Sequence, residues 1–419
     1  MTDGKRIYLC LAHMSKAGVE QKYIQRAFDD NYVVPLGPNV NQFEKDLEAF
    51  VGENKRVVAL SCGTAAVHLA LIACGVKAGD EVLVQSFTFC ASSHPITYLG
   101  AKPVFVGSEK ESWNMDPELL EAAIIERKAR TGRYPKAIVP VALFGMPYDC
   151  RRIMAIADKY GIPVIEDAAE GFGSRYEGRV LGTFGRYGVL SFNGNKMITT
   201  SGGGALIAGS DAEWDEIMMY ATQYRESYPY YQHEKIGYNY RMSNICAGIG
   251  IGQMTVANDH IAHHRHIAAL YEAAFADVPG IEFHKGPEWA SEGGNYWLNT
   301  ITLDPGLCVK GQEHAYETMV NGAVGGAAGV IHRASQLHTD CEPNANVEAM
   351  RVFLDEAGIE ARPLWKPMHR QPVYAGCDAY TNGVEEELFK RGMCLPSGPC
   401  VSDEDAAFIV DAVKEAILR

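Results

Sequence analysis

Residues 137–165 read AIVPVALFGMPYDCRRIMAIADKYGIPVI, and this stretch indicates the fold. Apolar runs at residues 137–143 and 162–165 flank a segment with helical periodicity, residues 149–160. Apolar runs without polar alternation are typical of strands that are covered on both faces of a sheet. Two such strands joined by a helix form the repeating unit of an α/β domain, so the stretch predicts a mostly parallel sheet.

The same alternation continues on both sides of this stretch. Apolar runs at residues 81–84, 103–106, 187–192 and 204–208 predict further strands. The periodicity between these runs predicts helices at residues 65–74 and 117–128. We therefore predict a large α/β domain that spans residues 1–255.

The pattern changes after residue 255. A long helical stretch at residues 255–276 is followed by one predicted strand, residues 297–302, and by amphipathic helices at residues 346–357 and 403–418. These elements predict a second, smaller α+β domain over residues 256–419. Residues 321–345 are rich in Gly and Ala and then polar, and we expect a loop or an insertion there.

Composition narrows the class of protein. The chain has 419 residues, 47% hydrophobic and 21% charged, as expected for a globular protein of two domains. Its formal net charge of -14 argues against nucleic acid as a partner. The 11 cysteines form no CxxC pair, which favours reduced thiols in the cytoplasm. We see no secretory signal and no apolar run of about 18 residues, so no membrane association is expected.

Ligands of parallel α/β sheets bind beyond the carboxyl ends of the strands, so the residues that follow the predicted strands are candidates for a binding site. Ser61-Cys62-Gly63-Thr64-Ala65-Ala66 lies just before a predicted helix. Gly63 permits a close turn, Thr64 is a suitable helix cap, and free N–H groups at the helix start can hold a phosphate. A plain capped helix explains this segment equally well, since no complete GxxxxGK[ST] or GxGxxG motif is present.

Two strand ends carry ionisable side chains. Glu166 and Asp167 close one predicted strand, where two adjacent acids are costly unless a cation or hydrogen-bond donor meets them. A protonated pyridine nitrogen, a metal ion or a helix N-terminus would each satisfy them. Lys196 closes Ser191-Phe192-Asn193-Gly194-Asn195-Lys196 and precedes a Gly cluster, and a desolvated lysine there can become a nucleophile.

An aromatic side chain, Phe89, follows the strand at residues 81–84 and is placed to stack on a planar ring or to pack in the core. Taken together, a phosphate cradle, an aromatic ring, a carboxylate for a ring nitrogen and a lysine form the set of groups that a pyridoxal-phosphate enzyme needs. The sequence therefore predicts pyridoxal 5'-phosphate as the cofactor.

Several motifs give the chain a resemblance to one family over nearly its whole length. They are His13-Met14-Ser15, Pro35-Leu36-Gly37-Pro38, Gly63-Thr64-Ala65, Glu166-Asp167-Ala168-Ala169-Glu170, Ser191 to Lys196, and Gly237-Tyr238-Asn239-Tyr240-Arg241-Met242-Ser243. The chain resembles the sugar aminotransferases named for DegT, DnrJ, EryC and StrS. The resemblance implies fold type I of pyridoxal-phosphate enzymes, L-glutamate as amino donor, and a homodimer with active sites at the subunit interface. Residues 191–196 look most similar to enzymes that aminate C4 of a UDP-linked 4-keto-6-deoxy-N-acetylhexosamine.

The resemblance also implies roles around the cofactor ring. By this pattern Lys196 is the Schiff-base lysine, and Asp167 faces the pyridine nitrogen. Phe89 stacks on the ring. Glu170 stands near the ring hydroxyl, where many members have Gln, and we interpret this as a subgroup difference.

The phosphate and the substrate are assigned in the same way. The resemblance implies that Thr64, Ala65 and Ser191 bind the phosphate, and that Asn239 of the other subunit joins them. His369, within Pro367-Met368-His369, belongs to a segment that approaches the sugar nucleotide in the family.

Other interpretations stay open at this stage. The chain can act at C3, or on a GDP- or dTDP-linked sugar, and a non-catalytic regulator of the same family is a further alternative. A dehydratase on this scaffold has His in place of the lysine, so Lys196 argues against it.

Four histidines lie in the predicted helix at residues 255–276: His260, His263, His264 and His266. They are expected to lie on a solvated face, and no metal site is predicted. The tyrosines of residues 220–240 are expected to pack at the subunit interface.

Overall fold

The computed structural model describes residues 6–315 and 341–418, together with the backbone of two short strands between them. The loop or insertion expected at residues 321–345 therefore lies largely outside the described residues. Its last residues, from Cys341, lead into a helix that begins at Ala345.

The helices of the described residues are α1 Val19–Asp29, α2 Pro38–Val51, α3 Gly63–Ala73, α4 His94–Tyr98, α5 Pro117–Thr131, α6 Cys150–Tyr160, α7 Asp211–Ala221, α8 Asn244–Met254, α9 Ala257–Phe275, α10 Glu288–Ser291, α11 Ala345–Glu356, α12 Val384–Arg391 and α13 Asp403–Ala416. Short 3₁₀ helices occur at Cys90–Ser92, Leu143–Gly145, Gln312–His314, Met368–Arg370 and Pro372–Tyr374.

The strands are β1 Arg56–Leu60, β2 Glu81–Gln85, β3 Lys102–Val106, β4 Ala137–Val139, β5 Ile165–Asp167, β6 Arg175–Tyr176, β7 Arg179–Val180, β8 Tyr187–Ser191, β9 Gly204–Ala208, β10 Ile281–Phe283, β11 Asn299–Leu303, β12 Val324–Gly325, β13 Ile331–His332, β14 Arg362–Pro363, β15 Ala379–Tyr380 and β16 Gly392–Leu395.

The central sheet is mostly parallel, as the sequence predicts. Strands β1-β9-β8-β5 and β4-β2-β3-β15 form two four-stranded runs. Parallel bridges between Ile138 and Val164 and between Val141 and Asp167 join β4 to β5. Among the described strands of this sheet, β9 alone runs opposite to its neighbours.

Both faces of this sheet are covered, which explains the apolar runs without alternation. Along β1, Val57 and Ala59 enter one hydrophobic cluster, whereas Val58 and Leu60 enter another. All four side chains are fully buried. Successive strand residues point to opposite faces, so a strand between two helix layers needs apolar residues at every position.

A second, antiparallel sheet with order β10-β11-β16-β14 forms the centre of the C-terminal part. Helices α9, α11 and α13 supply most of the helical side chains of its core cluster. Ile7 belongs to the same cluster and forms a parallel bridge with Ile359. The chain segment around Ile7 therefore packs with the C-terminal part, although the boundary placed at residue 255 stays a prediction.

The predicted helices and strands are confirmed within a few residues, although the strand predicted at residues 162–165 begins only at Ile165 and the strand predicted at residues 137–143 is shorter than expected. The run at 137–143 forms a strand only as far as Val139, because Pro140 has no N–H to donate to a ladder. The elements that the sequence reading missed include β1 and the helices Val19–Asp29, Pro38–Val51 and Asn244–Met254. In the described part of the chain, no helix combines the length and apolar character needed to cross a bilayer.

Candidate active site

A cavity of about 320 Å³ lies at the carboxyl ends of β5 and β8, beside the start of α3. Six of the nine residues assigned from the sequence line it: Thr64, Phe89, Asp167, Glu170, Ser191 and Lys196. Because β5 and β8 are parallel neighbours, the residues at their ends meet at one edge of the sheet. The fold thus brings together side chains that are up to 132 positions apart, from Thr64 to Lys196.

Lys196 is held between an acid and an aromatic ring. Its Nζ atom lies 3.7 Å from Oε1 of Glu170 and 4.0 Å from the centroid of the Trp297 ring. The Trp297 indole N–H donates to the carbonyl oxygen of Asn195 at 2.7 Å, which fixes the backbone beside the lysine. The side chain of Lys196 is only 13% exposed, so its amine faces the cavity and is largely removed from solvent.

Asp167 ends β5 and is buried at the floor of the cavity. Its Oδ2 accepts a hydrogen bond from Ser92 Oγ at 2.6 Å, and its Oδ1 accepts one from the N–H of Ala169 at 3.2 Å. Burial raises the pKa of Asp167, and these donors and the charge of Lys196 oppose that rise. A cationic group placed in the cavity would therefore be stabilised by this carboxylate.

Glu170 is also buried, and its two oxygens have separate partners. Oε2 accepts a hydrogen bond at 2.7 Å from the N–H of Phe144, whose backbone is left-handed, with φ of 54°. Oε1 faces Lys196. Burial raises the pKa of Glu170, and the charge of Lys196 acts in the opposite direction. The charge of Lys196 therefore acts on the pKa of Glu170 across a distance of 3.7 Å.

The start of α3 forms the opposite wall of the cavity. The N-cap is Cys62, whose Sγ accepts from the N–H of Ala65 at 3.3 Å, so the expectation that Thr64 caps the helix was wrong. Thr64 instead stands in the first turn and lines the cavity. A Cβ atom on Gly63 would lie 3.1 Å from Cβ of Ser191, so the glycine lets the serine lie against the helix start.

These residues fit pyridoxal phosphate. The largely desolvated amine of Lys196 is available for covalent attachment. The buried carboxylate of Asp167 accepts hydrogen bonds from Ser92 and Ala169. Among the described residues, no cation lies as close to it as Lys196 lies to Glu170. A helix start with the hydroxyls of Thr64 and Ser191 beside it suits a phosphate.

Three assigned residues lie outside the cavity lining: Ala65, Asn239 and His369. Asn239 is exposed and lies in an irregular segment that forms a bridge with Thr222. His369 has hydrogen-bond partners on both ring nitrogens, Ser86 and Glu386. The roles of these three residues stay predictions.

The histidines of α9 do not lie on one solvated face, so that expectation was wrong in part. His260 and His264 are buried, and their Nδ1 atoms lie 3.2 Å and 3.1 Å from the carbonyl oxygens of Met197 and Tyr296. Burial lowers the pKa of His264 to about 3. The reason is that α9 contributes residues both to the core cluster of the central sheet and to that of the C-terminal sheet, so more than one of its faces is covered.

Three residues at the cavity escaped the sequence reading. Ser92 donates to Asp167, and Trp297 and Trp365 line the cavity from the C-terminal part of the chain. The Trp365 ring lies 6.2 Å from that of Phe89, in an edge-to-face arrangement. No local pattern marks these positions, because their partners are distant in sequence.

Comparison with known proteins agrees with this site. The sequence profile described as the DegT/DnrJ/EryC1/StrS aminotransferase family matches residues 15–327 and 327–414. EpsN of Bacillus subtilis (strain 168), whose name describes a pyridoxal phosphate-dependent aminotransferase, is 43% identical over 413 residues, which is 98% of this chain and 95% of EpsN. GDP-perosamine synthase of Escherichia coli O157:H7 is 32% identical over 97% of this chain and 98% of its own length.

The fold is shared with a solved structure of the same family. The crystal structure of a DegT DnrJ EryC1 StrS aminotransferase from Brucella abortus superposes with a TM-score of 0.80, at 26% identity, and covers 95% of both chains. The profile match, the relatives and the fold together show that this chain is a pyridoxal-phosphate-dependent aminotransferase and belongs to the DegT/DnrJ/EryC1/StrS aminotransferase family.

Proposed function

We propose that the enzyme transfers the amino group of L-glutamate to a nucleotide-linked keto sugar, at C4 of a UDP-linked 4-keto-6-deoxy-N-acetylhexosamine. The observation that carries the proposal is the cavity in which the amine of Lys196 and the carboxylates of Asp167 and Glu170 converge. A relative named for a GDP-linked amino sugar supports a sugar nucleotide as the acceptor. The choice of UDP and of C4 rests on the resemblance of residues 191–196.

Each residue of the site has its own role in the proposed reaction. Pyridoxal phosphate, when bound, supplies an electron sink for the bond that breaks at the α-carbon of the donor. Nζ of Lys196 would hold the cofactor covalently and, once freed by the amino donor, would move the proton from the donor α-carbon to the C4′ carbon of the cofactor. The Asp167 carboxylate keeps the ring nitrogen protonated, because a nearby opposite charge favours the charged form. By the resemblance, Phe89 would stack on the ring face and Glu170 would lie near the ring hydroxyl.

We assign the binding of the cofactor phosphate to residues of both protomers. The resemblance supports a homodimer in which Thr64, Ala65 and Ser191 bind the phosphate from one protomer and the partner's Asn239 completes the site. The exposed apolar residues beside α1 support an interface there, since Phe28 is 54% and Leu36 is 57% exposed. Exposed tyrosines of residues 220–240, among them Tyr231, are also suited to a subunit interface.

We place the enzyme in the cytoplasm, with its amino-sugar product serving polysaccharide biosynthesis. All eleven cysteines are free thiols, and a reducing compartment would keep them so. Several of them, such as Cys74 and Cys394, are buried and have a raised pKa because of burial, so they are poor nucleophiles there.

The test compares three acceptors in the forward direction of the reaction. The purified enzyme is incubated with L-glutamate and one of three substrates: a UDP-linked 4-keto-6-deoxy-N-acetylhexosamine, a UDP-linked 3-keto sugar, or a GDP-linked 4-keto-6-deoxyhexose. Mass spectrometry of the sugar nucleotides should show amination of the first, and Lys196→Ala serves as the blank. Product from the 3-keto sugar alone would refute C4. Product from the GDP-linked sugar alone would favour the second candidate, which the GDP-perosamine synthase relative supports.

A further inference from the structure

Beside the cofactor cavity, hydrogen bonds link three side chains in a row: Ser86, His369 and Glu386. None of these three residues lines the cavity. Ser86 Oγ lies 2.6 Å from Nδ1 of His369, and Nε2 of His369 lies 2.8 Å from Oε1 of Glu386. A carboxylate only accepts hydrogen bonds, so Nε2–H donates to Glu386. On a neutral ring, Nδ1 then accepts from the hydroxyl of Ser86. Both ring nitrogens of His369, the hydroxyl of Ser86 and Oε1 of Glu386 thus have hydrogen-bond partners.

The order of the three residues is that of a hydrolytic triad, but the site is closed to substrates. Ser86 is fully buried, and the side chain of His369 is only 9% exposed. Neither Ser86 nor His369 lines the cofactor cavity. A nucleophile must reach the reacting atom, so these residues have a role in structure. The distance of 2.8 Å between Nε2 and Oε1 is also that of a hydrogen bond, and a metal ion between them would hold the two atoms further apart.

One end of this row of side chains holds the loop that carries the cofactor contacts. Ser86 opens the segment Ser86–Ser92, and its carbonyl oxygen also accepts from the N–H of Met368 at 2.8 Å. Further along the segment, Thr88 Oγ1 lies 2.8 Å from Ser92 Oγ, which donates to Asp167. Phe89 stands between them and lines the cavity.

The other end of the row is anchored in the C-terminal part. Glu386 belongs to α12, and its neighbour Glu385 is fully buried. Oε2 of Glu385 accepts from the N–H of Ser108, just after β3, at 3.2 Å. Its Oε1 lies 3.9 Å from Nδ1 of His369. The helix is therefore tied to the ends of two adjacent strands of the central sheet, β2 through His369 and β3 through Glu385.

We infer that His369 is a positioning residue, which acts through Ser86 and Glu386 to hold the segment Ser86–Ser92 in the conformation that binds the cofactor. The inference rests on the proposed contacts of Phe89 and Asp167 with the cofactor ring. It predicts that His369 affects cofactor binding before any sugar nucleotide enters the site. The resemblance to the family places His369 near the sugar nucleotide instead. Loss of a positioning residue lowers the affinity for the cofactor, whereas loss of a substrate contact raises KM for the sugar nucleotide.

The test uses the cofactor-free enzyme and needs no sugar nucleotide. Pyridoxal phosphate is titrated into the wild type, Ser86→Ala, His369→Ala and Glu386→Ala, and binding is followed by absorbance. Each variant should bind the cofactor about tenfold more weakly, the effect of one buried hydrogen bond. Hydrogen exchange of residues 86–92 should be faster in each cofactor-free variant. Glu387→Ala is the matched control, because Glu387 is the next residue of α12 and its side chain is 63% exposed.

A double variant and a conservative variant complete the design. The double variant Ser86→Ala with His369→Ala should bind the cofactor no more weakly than either single variant, because the effects of substitutions within one hydrogen-bonded network are not additive. His369→Gln keeps a donor and an acceptor and should recover part of the affinity. Unchanged cofactor affinity and exchange in His369→Ala, with a raised KM for the sugar nucleotide alone, would overturn the inference. If His369→Ala does not fold, Ser86→Ala and Glu386→Ala decide in its place, and their equality with the Glu387→Ala control would also overturn it.

Discussion

Nζ of Lys196 lies 3.7 Å from Oε1 of Glu170, and both side chains are nearly closed to solvent. On its other side the amine contacts the face of Trp297. An amine held between a carboxylate and an indole has few orientations, and its free direction is toward the cavity that Asp167 closes. This arrangement explains why Lys196, rather than another lysine, is placed for covalent chemistry.

Lys196 should be the residue that carries the cofactor. Borohydride reduction of the holoenzyme followed by peptide mass mapping should place the adduct on Lys196, because its amine is desolvated and faces the cavity. Lys196→Ala should lose the visible absorbance of the bound cofactor. Lys366→Ala is a suitable control, since Lys366 pairs with Glu342 and does not line this cavity. An adduct on any other lysine would contradict the assignment.

Replacement of Asp167 by Asn should preserve the fold and reduce kcat/KM by at least about tenfold, since one pKa unit of lost stabilisation corresponds to that factor. The amide still accepts a hydrogen bond from Ser92 but carries no charge to keep a ring nitrogen protonated. The control is Asp149→Asn at the N-cap of α6, which changes one aspartate far from the cavity. Turnover of Asp167→Asn close to wild type, with cofactor bound, would assign Asp167 another role.

Glu170 should make the cofactor-free enzyme less stable as pH rises. Burial raises the pKa of Glu170 above its ordinary value of 4.5, so between the two values the folded state binds more protons than the unfolded state. Stability then falls with rising pH from about 4.5 until the folded pKa is passed. Glu170→Gln removes this contribution. Urea midpoints of wild type and variant should diverge in favour of the variant as pH rises, and a constant difference would contradict the prediction. Glu387→Gln, at the exposed face of α12, controls for the loss of one charge.

Gly204→Ala should weaken cofactor binding and lower the unfolding midpoint. A Cβ atom at position 204 would lie 2.4 Å from the backbone nitrogen of Gly63, so the start of α3 would have to move. That start is the proposed phosphate site. Gly194→Ala is the matched change for stability, because no atom lies within 4 Å of its added Cβ. Equal unfolding midpoints and cofactor affinities for the two variants would show that β9 and α3 are not coupled as described.

Each active site should need two chains. Lys196→Ala should be inactive, and Asn239→Asp should be severely impaired because it sets a carboxylate against the phosphate. When the two are mixed after reversible dissociation, one site of each heterodimer carries both lesions and the other carries none. Activity should therefore return to about one quarter of the wild-type value for random pairing of equal amounts. If Asn239 served its own chain, mixing would restore nothing.

The part of the site that follows strand ends could be predicted from the sequence. Asp167 and Lys196 stand directly at or after apolar runs, and a parallel sheet brings such ends together whatever the intervening chain does. Ser92 could not be predicted in this way, because it owes its role to the path of the loop after β2. Trp297 and Trp365 come from the C-terminal part and reach the cavity only through the packing of the two parts of the chain.

The fold, too, could be predicted from the sequence only in part. Runs such as residues 187–192 predict a strand because burial on both faces leaves a simple apolar signal. The strand Arg56–Leu60 has the same signal over four residues, but Arg56 and the following Ser61 make it short. The burial of His260 and His264 depends on what covers α9 and is not written in its periodicity.

The bridge between Ile7 and Ile359 has a consequence for the synthesis of the chain. These residues are separated by 352 positions, so at 5 to 20 residues per second the segment around Ile7 waits about 20 to 70 seconds on the ribosome for its partner. During that time Ile7 lacks the C-terminal cluster in which it is buried in the finished protein, whereas Leu9 and Cys10 belong to the cluster of the central sheet. Ile7 is therefore without its bridge partner through most of translation, and the C-terminal cluster can be completed only when synthesis is nearly finished.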